Sequence, residues 1–108
     1  MSVRELTRER FKGPTKPIPR DVTVQTTVTE VMPNSPDRFG WQIVNNSNNR
    51  GHVGFDRQVS ATHGTPIEAS GGVITATWEE DGETTAYAVF GISEVAAGAW
   101  YVVEQVRF

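Results

Sequence analysis

The stretch Asp21–Met32, DVTVQTTVTEVM, alternates with a period of two: Val22, Val24, Thr26, Val28 and Glu30 fall on one side, and Thr23, Gln25, Thr27, Thr29 and Val31 on the other. Successive side chains of an extended chain point to opposite faces, so this pattern reads as one long β-strand. The same period recurs downstream. After the turn cluster Pro33-Asn34-Ser35-Pro36-Asp37, the run RFGWQIV puts Phe39, Trp41 and Ile43 on one face. The polar run Asn45–Gly51 then suits a turn, and HVGFD resumes the alternation with Val53 and Phe55, so a hairpin is expected here. SATHGTPIEASGG holds too many Gly, Pro and Ser residues for a regular element. It reads as a loop crossing between sheets, with Thr65 to Ala69 pairing briefly at an edge.

VITATW and TTAYAVF flank Glu79-Glu80-Asp81-Gly82-Glu83. Asp-Gly suits a tight turn needing positive φ, so a second hairpin is expected, with Ile74, Ala76 and Trp78 sharing a face. The closing run AWYVVEQVRF alternates Trp100, Val102, Glu104 and Val106 against Tyr101, Val103, Gln105 and Arg107. After Asp21 only SEVAAGAW resembles a helix, and Gly98 cuts it short. The expectation is an all-β domain, a small sandwich of jelly-roll or immunoglobulin-like type, or a barrel, with six to seven or more strands. A chain of 108 residues leaves room for one core only.

Charge divides the chain unevenly. Residues 1–20 carry six basic side chains against two acidic ones, a balance of +4, whereas residues 21–108 carry four against eleven, a balance of −7. A basic arm, 1–20, thus precedes an acidic body, 21–108. Gly13, Pro14, Pro17 and Pro19 interrupt the arm so often that neither a helix nor a central strand can persist between Lys12 and Arg20. Before them, Val3, Leu6 and Phe11 could form one or two amphipathic turns, which need a partner surface to be stable. Twenty extended residues reach at most roughly 65–70 Å, enough to touch a neighbouring molecule. The candidate partner-binding residues are Arg4, Leu6, Arg8, Arg10, Phe11, Lys12, Lys16 and Arg20.

Little in the chain suggests catalysis. Cysteine is absent, which removes disulfides, thiolate nucleophiles and Cys-based zinc sites together. His52 and His63 lie eleven residues apart, without the spacing of a metal site. The acidic cluster Glu79-Glu80-Asp81-Glu83 reads as a solvated turn, since consecutive residues at a hairpin tip point to different sides. No nucleophile elbow, phosphate loop or dinucleotide fingerprint occurs. The expectation is therefore a non-enzyme that uses neither cofactor nor metal. Met1–Arg10 has no apolar run that could be the core of a secretory signal, and no stretch is apolar enough for a membrane span.

Trp41, Trp78 and Trp100 all sit in phase with aliphatic neighbours, which points to core packing; the competing reading is a carbohydrate-binding module with an aromatic platform for a glycan. Nucleic acid is disfavoured, because an acidic body repels phosphate. An acidic protein surface suits the arm better.

The elements Val44–Ser47, Val53–Phe55, Val59–Ser60, Gly64–Ile67, Ala69–Gly72 and Val102–Glu104 together resemble a pattern in small virion proteins of tailed viruses. In that pattern an Asn-Ser turn follows a strand, a Val-Gly-Phe strand leads to a Val-Ser segment, and a closing strand ends in Val-x-Glu. The resemblance covers about residues 39–108 and has no counterpart for the arm. It implies a virion component: a capsid decoration or cementing protein on the particle, or alternatively a neck, tail or baseplate part. The implied partners are copies of the chain itself, with a trimer or pentamer consistent, and the major capsid protein or another virion protein.

Overall fold

A computed structural model describes residues 15–107 of the chain. Its longest elements are the edge strand β1 (Thr15–Val24) and the closing strand β8 (Gly98–Arg107), which pair antiparallel along their whole length, from Thr15 opposite Arg107 to Val24 opposite Gly98. Between them come β2 (Thr29–Met32), β3 (Arg38–Asn45), β4 (Gly51–Gly54), β5 (Thr65–Ile67), β6 (Gly72–Thr77) and β7 (Val89–Ser93). One helical turn, α1 (Trp78–Asp81), runs into a 3-10 turn over Gly82–Ala86. The strands form two four-stranded antiparallel sheets, β1-β8-β3-β6 (sheet A) and β2-β7-β4-β5 (sheet B). Every connection except β4–β5 changes sheet. Eight strands interleaved in this way form a jelly roll, one of the architectures expected from the sequence.

Local alternation located the strands but misassigned several of their connections. Asp21–Met32 is not one long strand. β1 ends at Val24, the chain crosses to sheet B, and β2 begins at Thr29, whose hydroxyl accepts the Gln25 N–H at 3.1 Å and holds the corner. β3 and β4 form no hairpin, because they lie in opposite sheets. The segment expected to be a crossing loop does cross, and its Thr65–Ile67 pairs with β4 at the edge of sheet B. The boundary drawn between Arg20 and Asp21 falls inside β1, so Thr15–Arg20 are part of sheet A.

The Asp-Gly turn is also not a hairpin. Gly82 does adopt the positive φ that its sequence context suggests, at 58°, but there it ends α1 and its N–H bonds the Trp78 carbonyl. The Asp81 carboxylate accepts the Thr77 N–H at 2.9 Å, and the Thr84 hydroxyl donates to the Asp81 carbonyl at 2.6 Å. These local bonds close a helical corner that carries the chain from β6 in sheet A to β7 in sheet B.

The core lies between the sheets. Trp100, Val102 and Val106 of β8, Trp41 and Ile43 of β3, and Ala76 of β6 face Val31, Met32, Val53, Ile67 and Val89 of sheet B. Trp41 and Trp100 are core residues as expected. Trp78 is not: it sits on α1 and is 46% exposed. Phe55 lies past the end of β4 and is also exposed, against the expectation from its phase with Val53. Phe39 is only half-buried, because the β3–β8 register shifts between Arg38 and Gly40. That bulge turns Arg38 inward.

Candidate assembly surfaces

A sheet edge presents unpaired N–H and C=O groups to any strand that approaches, and proteins usually blunt such edges. Three of the four edges here are blunted. β1 carries Pro17 and Pro19, which have no N–H to offer a further strand. β2 is four residues long and bulged between Glu30 and Met32, and β5 is three residues long with Pro66 at its centre. β6 differs. Its six residues, GVITAT, hold neither proline nor charge, four of them are β-branched, and among the described residues β3 is its one strand partner.

The outer face of sheet A is also poor in charge. The register aligns Asp21, Tyr101, Val44 and Val73 in one row and Pro19, Val103, Gln42 and Thr75 in the next. Tyr101 and Val73 are among the exposed large apolar side chains. Asp21 is the one charge in these two rows. A face of this kind, continuous with an open edge, suits contact with another protein surface.

At the end of the sandwich where β1 begins and β8 ends, a cleft of about 450 Å³ opens between α1, the 3-10 turn and the start of β3. Phe39, Trp78 and Tyr87 supply its aromatic wall, and Asp37, Glu83 and Arg107 part of its rim. Tyr87 is exposed to about the same degree as Trp78. Glu79, Glu80 and Asp81 on α1 add further exposed carboxylates nearby. Arg107 lies 3.6 Å from Asp37.

A buried cation fixes that end of the fold. Arg38 is 2% exposed and donates from Nε to the Thr85 carbonyl at 2.8 Å, from Nη2 to the Tyr87 carbonyl at 2.6 Å and from Nη1 to the Pro33 carbonyl at 3.0 Å. Nη1 also pairs with the buried Glu104 carboxylate. The other Glu104 oxygen lies 3.2 Å from Arg20 Nη2, which also donates to the Val31 carbonyl of sheet B at 3.1 Å. Protein groups fill these hydrogen bonds of Arg38 and Glu104, whereas the buried Arg20 Nε finds no partner among the described residues, and the triad fastens the fold.

Of the eight arm residues singled out from the sequence, Arg4, Leu6, Arg8, Arg10, Phe11 and Lys12 lie outside the described residues. Lys16 is exposed on β1. Arg20 bridges the two sheets through Glu104 and Val31. Alternation alone gave no sign of the β6 edge, the Trp78–Tyr87 cleft or the inward turn of Arg38, since each depends on which strands become neighbours.

No group of three or more His, Asp or Glu side chains that could hold a metal occurs among the described residues. His63 Nε2 lies 3.2 Å from Asp56 Oδ2 at the surface. This contact, and then the Gln58 N–H bonded to Oδ1, holds the Asp56 carboxyl below its ordinary value. The pair is open to solvent. No described helix is long and apolar enough to cross a membrane.

No protein-family model matches the chain, and the curated proteins contain no match. Among solved structures, a chain from Bacillus endospore appendages, described as a novel family of disulfide-linked pili, superposes with a TM-score of 0.51. The alignment covers 87% of this chain and 87% of that one, at 14% identity. At that identity the likeness shows the fold: this chain is a small β-sandwich of the same architecture as an appendage protein.

Proposed function

We propose that this protein is a non-enzymatic structural subunit that assembles with copies of itself, with its basic N-terminal arm as an anchor. The observation that carries this reading is the contrast among the sheet edges: among the described residues β6 has no second strand partner and carries no blunting residue, while β1, β2 and β5 are each blunted. The charge-poor outer face of sheet A widens the same surface. If β6 meets the same edge of a copy, the contact is isologous and closes a dimer, whereas β6 against a different patch of the copy is a head-to-tail contact. Such head-to-tail contacts generate rings or filaments. The fold it shares with an appendage protein supports a role in an assembled structure.

Within that class, the sequence resemblance favours a virion component, a decoration or cementing protein anchored to a capsid protein or to its own neighbours. Jelly rolls are frequent among capsid proteins, which adds an argument from fold analogy alone. The second reading is an extracellular appendage subunit, favoured by the structural likeness. A chain without cysteine would have to hold such a filament together without disulfides.

Light scattering on the full chain and on a variant lacking residues 1–14 tests the reading. A deletion of 1–20 would remove six residues of β1 and confound assembly with folding. An oligomer that loses mass on deletion, with its circular dichroism preserved, supports the proposal; a full chain that stays monomeric at high concentration overturns it. Electron microscopy of the assembly separates the two placements. Closed rings or caps favour the particle, and open helical filaments favour the appendage.

A further inference from the structure

The backbone groups of β6 divide by side. Thr77 donates its N–H to the Asp81 carboxylate at 2.9 Å, so this group points away from β3. In an antiparallel pair the N–H and C=O of one residue point the same way, and the direction alternates along the strand. Val73 and Thr75 therefore also turn their N–H and C=O outward, while Gly72, Ile74 and Ala76 bond β3. Among the described residues these four outward groups meet no strand.

The inner side of the same edge is apolar. β6 and β5 border their sheets on the same side of the sandwich. A crevice of about 200 Å³ opens there, lined by Trp41, Val53, Phe55, Ile74 and Ala76. Phe55 is exposed and Ile74 half-buried. An occupant has to supply backbone partners and apolar cover together.

A second copy of the chain offers one edge that can do so. Pro17 and Pro19 in β1, the bulge and Glu30 in β2, and Pro66 in β5 spoil the other three. A two-fold contact sets every charge against its own sign, and β6 carries none, so β6 against β6 meets no repulsion. Within the chain itself, each described strand already has its place in a sheet, and the described chain begins in β1, at the opposite edge of sheet A.

The free groups also fix the register. Side chains that share a face must sit opposite one another, which puts either Ile74 or Thr75 opposite itself. With Thr75 on the axis, Val73 would face Thr77, whose N–H the Asp81 carboxylate already holds. With Ile74 on the axis, Val73 faces Thr75 on both sides, and all four outward groups of each subunit are filled.

We infer that β6 pairs antiparallel with β6 of a second copy about a two-fold axis at Ile74, joining two four-stranded A sheets into one. Val73 exchanges backbone hydrogen bonds with Thr75 of the partner subunit, the two Ile74 side chains meet at the axis, and the two crevices close on each other. The inference rests on the self-assembly reading and gives its unit, a dimer that the arm can link onward.

The test is Ile74→Cys in the full chain, which has no native cysteine. Residues directly opposed in a non-hydrogen-bonded pair have Cα atoms about 4.5 Å apart, within reach of a disulfide. Mild oxidation should turn Ile74→Cys into a covalent dimer on a non-reducing gel. Val73→Cys and Thr75→Cys should react several-fold more slowly, although both positions are more exposed. The opposite order, which random collision gives, overturns the inference. Light scattering on the wild-type chain separates the levels of failure. An oligomer whose Ile74→Cys variant forms no dimer has another occupant on β6, residues 1–14 included, and the inference falls while self-assembly stands; a wild-type monomer sinks both. Thr75→Lys and Thr75→Glu, at an exposed position, serve as a second readout, since the axis brings the two side chains within about 7–8 Å. Each variant should lower the oligomer mass and an equal mixture should restore it. Unchanged mass in both, or a loss that mixing leaves in place, counts against the two-fold.

Discussion

The indole of Trp100 in sheet A occupies the space where any side chain on Gly51 of sheet B would have to be. A Cβ on Gly51 would overlap the Trp100 ring and approach the Ile92 carbonyl oxygen at 2.7 Å. Gly91 on the neighbouring strand repeats the relation, with a Cβ position 2.8 Å from Trp100 Cζ3. Neither glycine has a positive φ. They are needed for the room they leave.

Trp100→Ala should therefore lower unfolding free energy by about 3–5 kcal/mol, as for other buried aromatic truncations. Gly51→Ala should cost about 1–3 kcal/mol by overpacking. The pair should be non-additive in denaturant titrations, with Gly51→Ala less harmful once Trp100 is Leu, the remaining cost coming from the Ile92 carbonyl. Strict additivity would show that the two do not share this space.

Arg38 and Glu104 should behave as one unit. Glu104→Ala leaves a buried guanidinium without its counter-charge and should cost about 3–5 kcal/mol. Arg20, more exposed, should cost about 0.5–1.5 kcal/mol when truncated to Ala. Hydrogen exchange should report Glu104→Ala as faster exchange over Thr84–Tyr87, because Arg38 holds the Thr85 and Tyr87 carbonyls. Uniform loss of protection across the chain would argue against a local clasp.

Asn45 is completely buried and has its amide filled: Nδ2 donates to the Asn49 and Ile67 carbonyls, and Oδ1 accepts the Ser47 N–H and hydroxyl. Asn45→Ala should cost about 1–3 kcal/mol by leaving these groups unpaired. Thermal melts of Asn45→Ala beside Ser47→Ala, expected to be milder, would check it.

Trp78 should account for the quenchable, red-shifted part of the tryptophan emission, since Trp41 and Trp100 are 5% and 1% exposed. Trp78→Phe should remove most acrylamide-accessible fluorescence. If simple or polymeric sugars shift that emission in the wild type, the glycan-binding reading replaces the assembly reading at this cleft.

Ala97 sits at φ 60°, the left-handed region that disfavours any residue with a Cβ. Ala97→Gly should raise stability by up to about 1 kcal/mol, the relief being partly offset by the freer unfolded chain. A lower melting temperature would mean that the methyl group packs usefully.

The sequence by itself determined the all-β class, the approximate places of most strands, and the burial of Trp41, Ile43, Trp100, Val102 and Val106, because period-two alternation is a local property of an extended chain. It also separated a basic N-terminal segment from an acidic body, since charge can be counted without a fold. Tertiary structure decided the connections. Asp21–Met32 keeps the strand pattern on both sides of the corner at Gln25–Val28, so alternation cannot show that the chain changes sheet there. Asp81-Gly82 supplies the same positive φ to a helical corner as to a hairpin, and Arg38, reaching Thr85 and Tyr87 from 47 and 49 residues away, braces the corner. The bulge that turns Arg38 inward, the exposure of Trp78 and the unpaired edge of β6 all depend on which strands end up side by side. That is settled by burial and pairing across the whole domain, and no local window contains it.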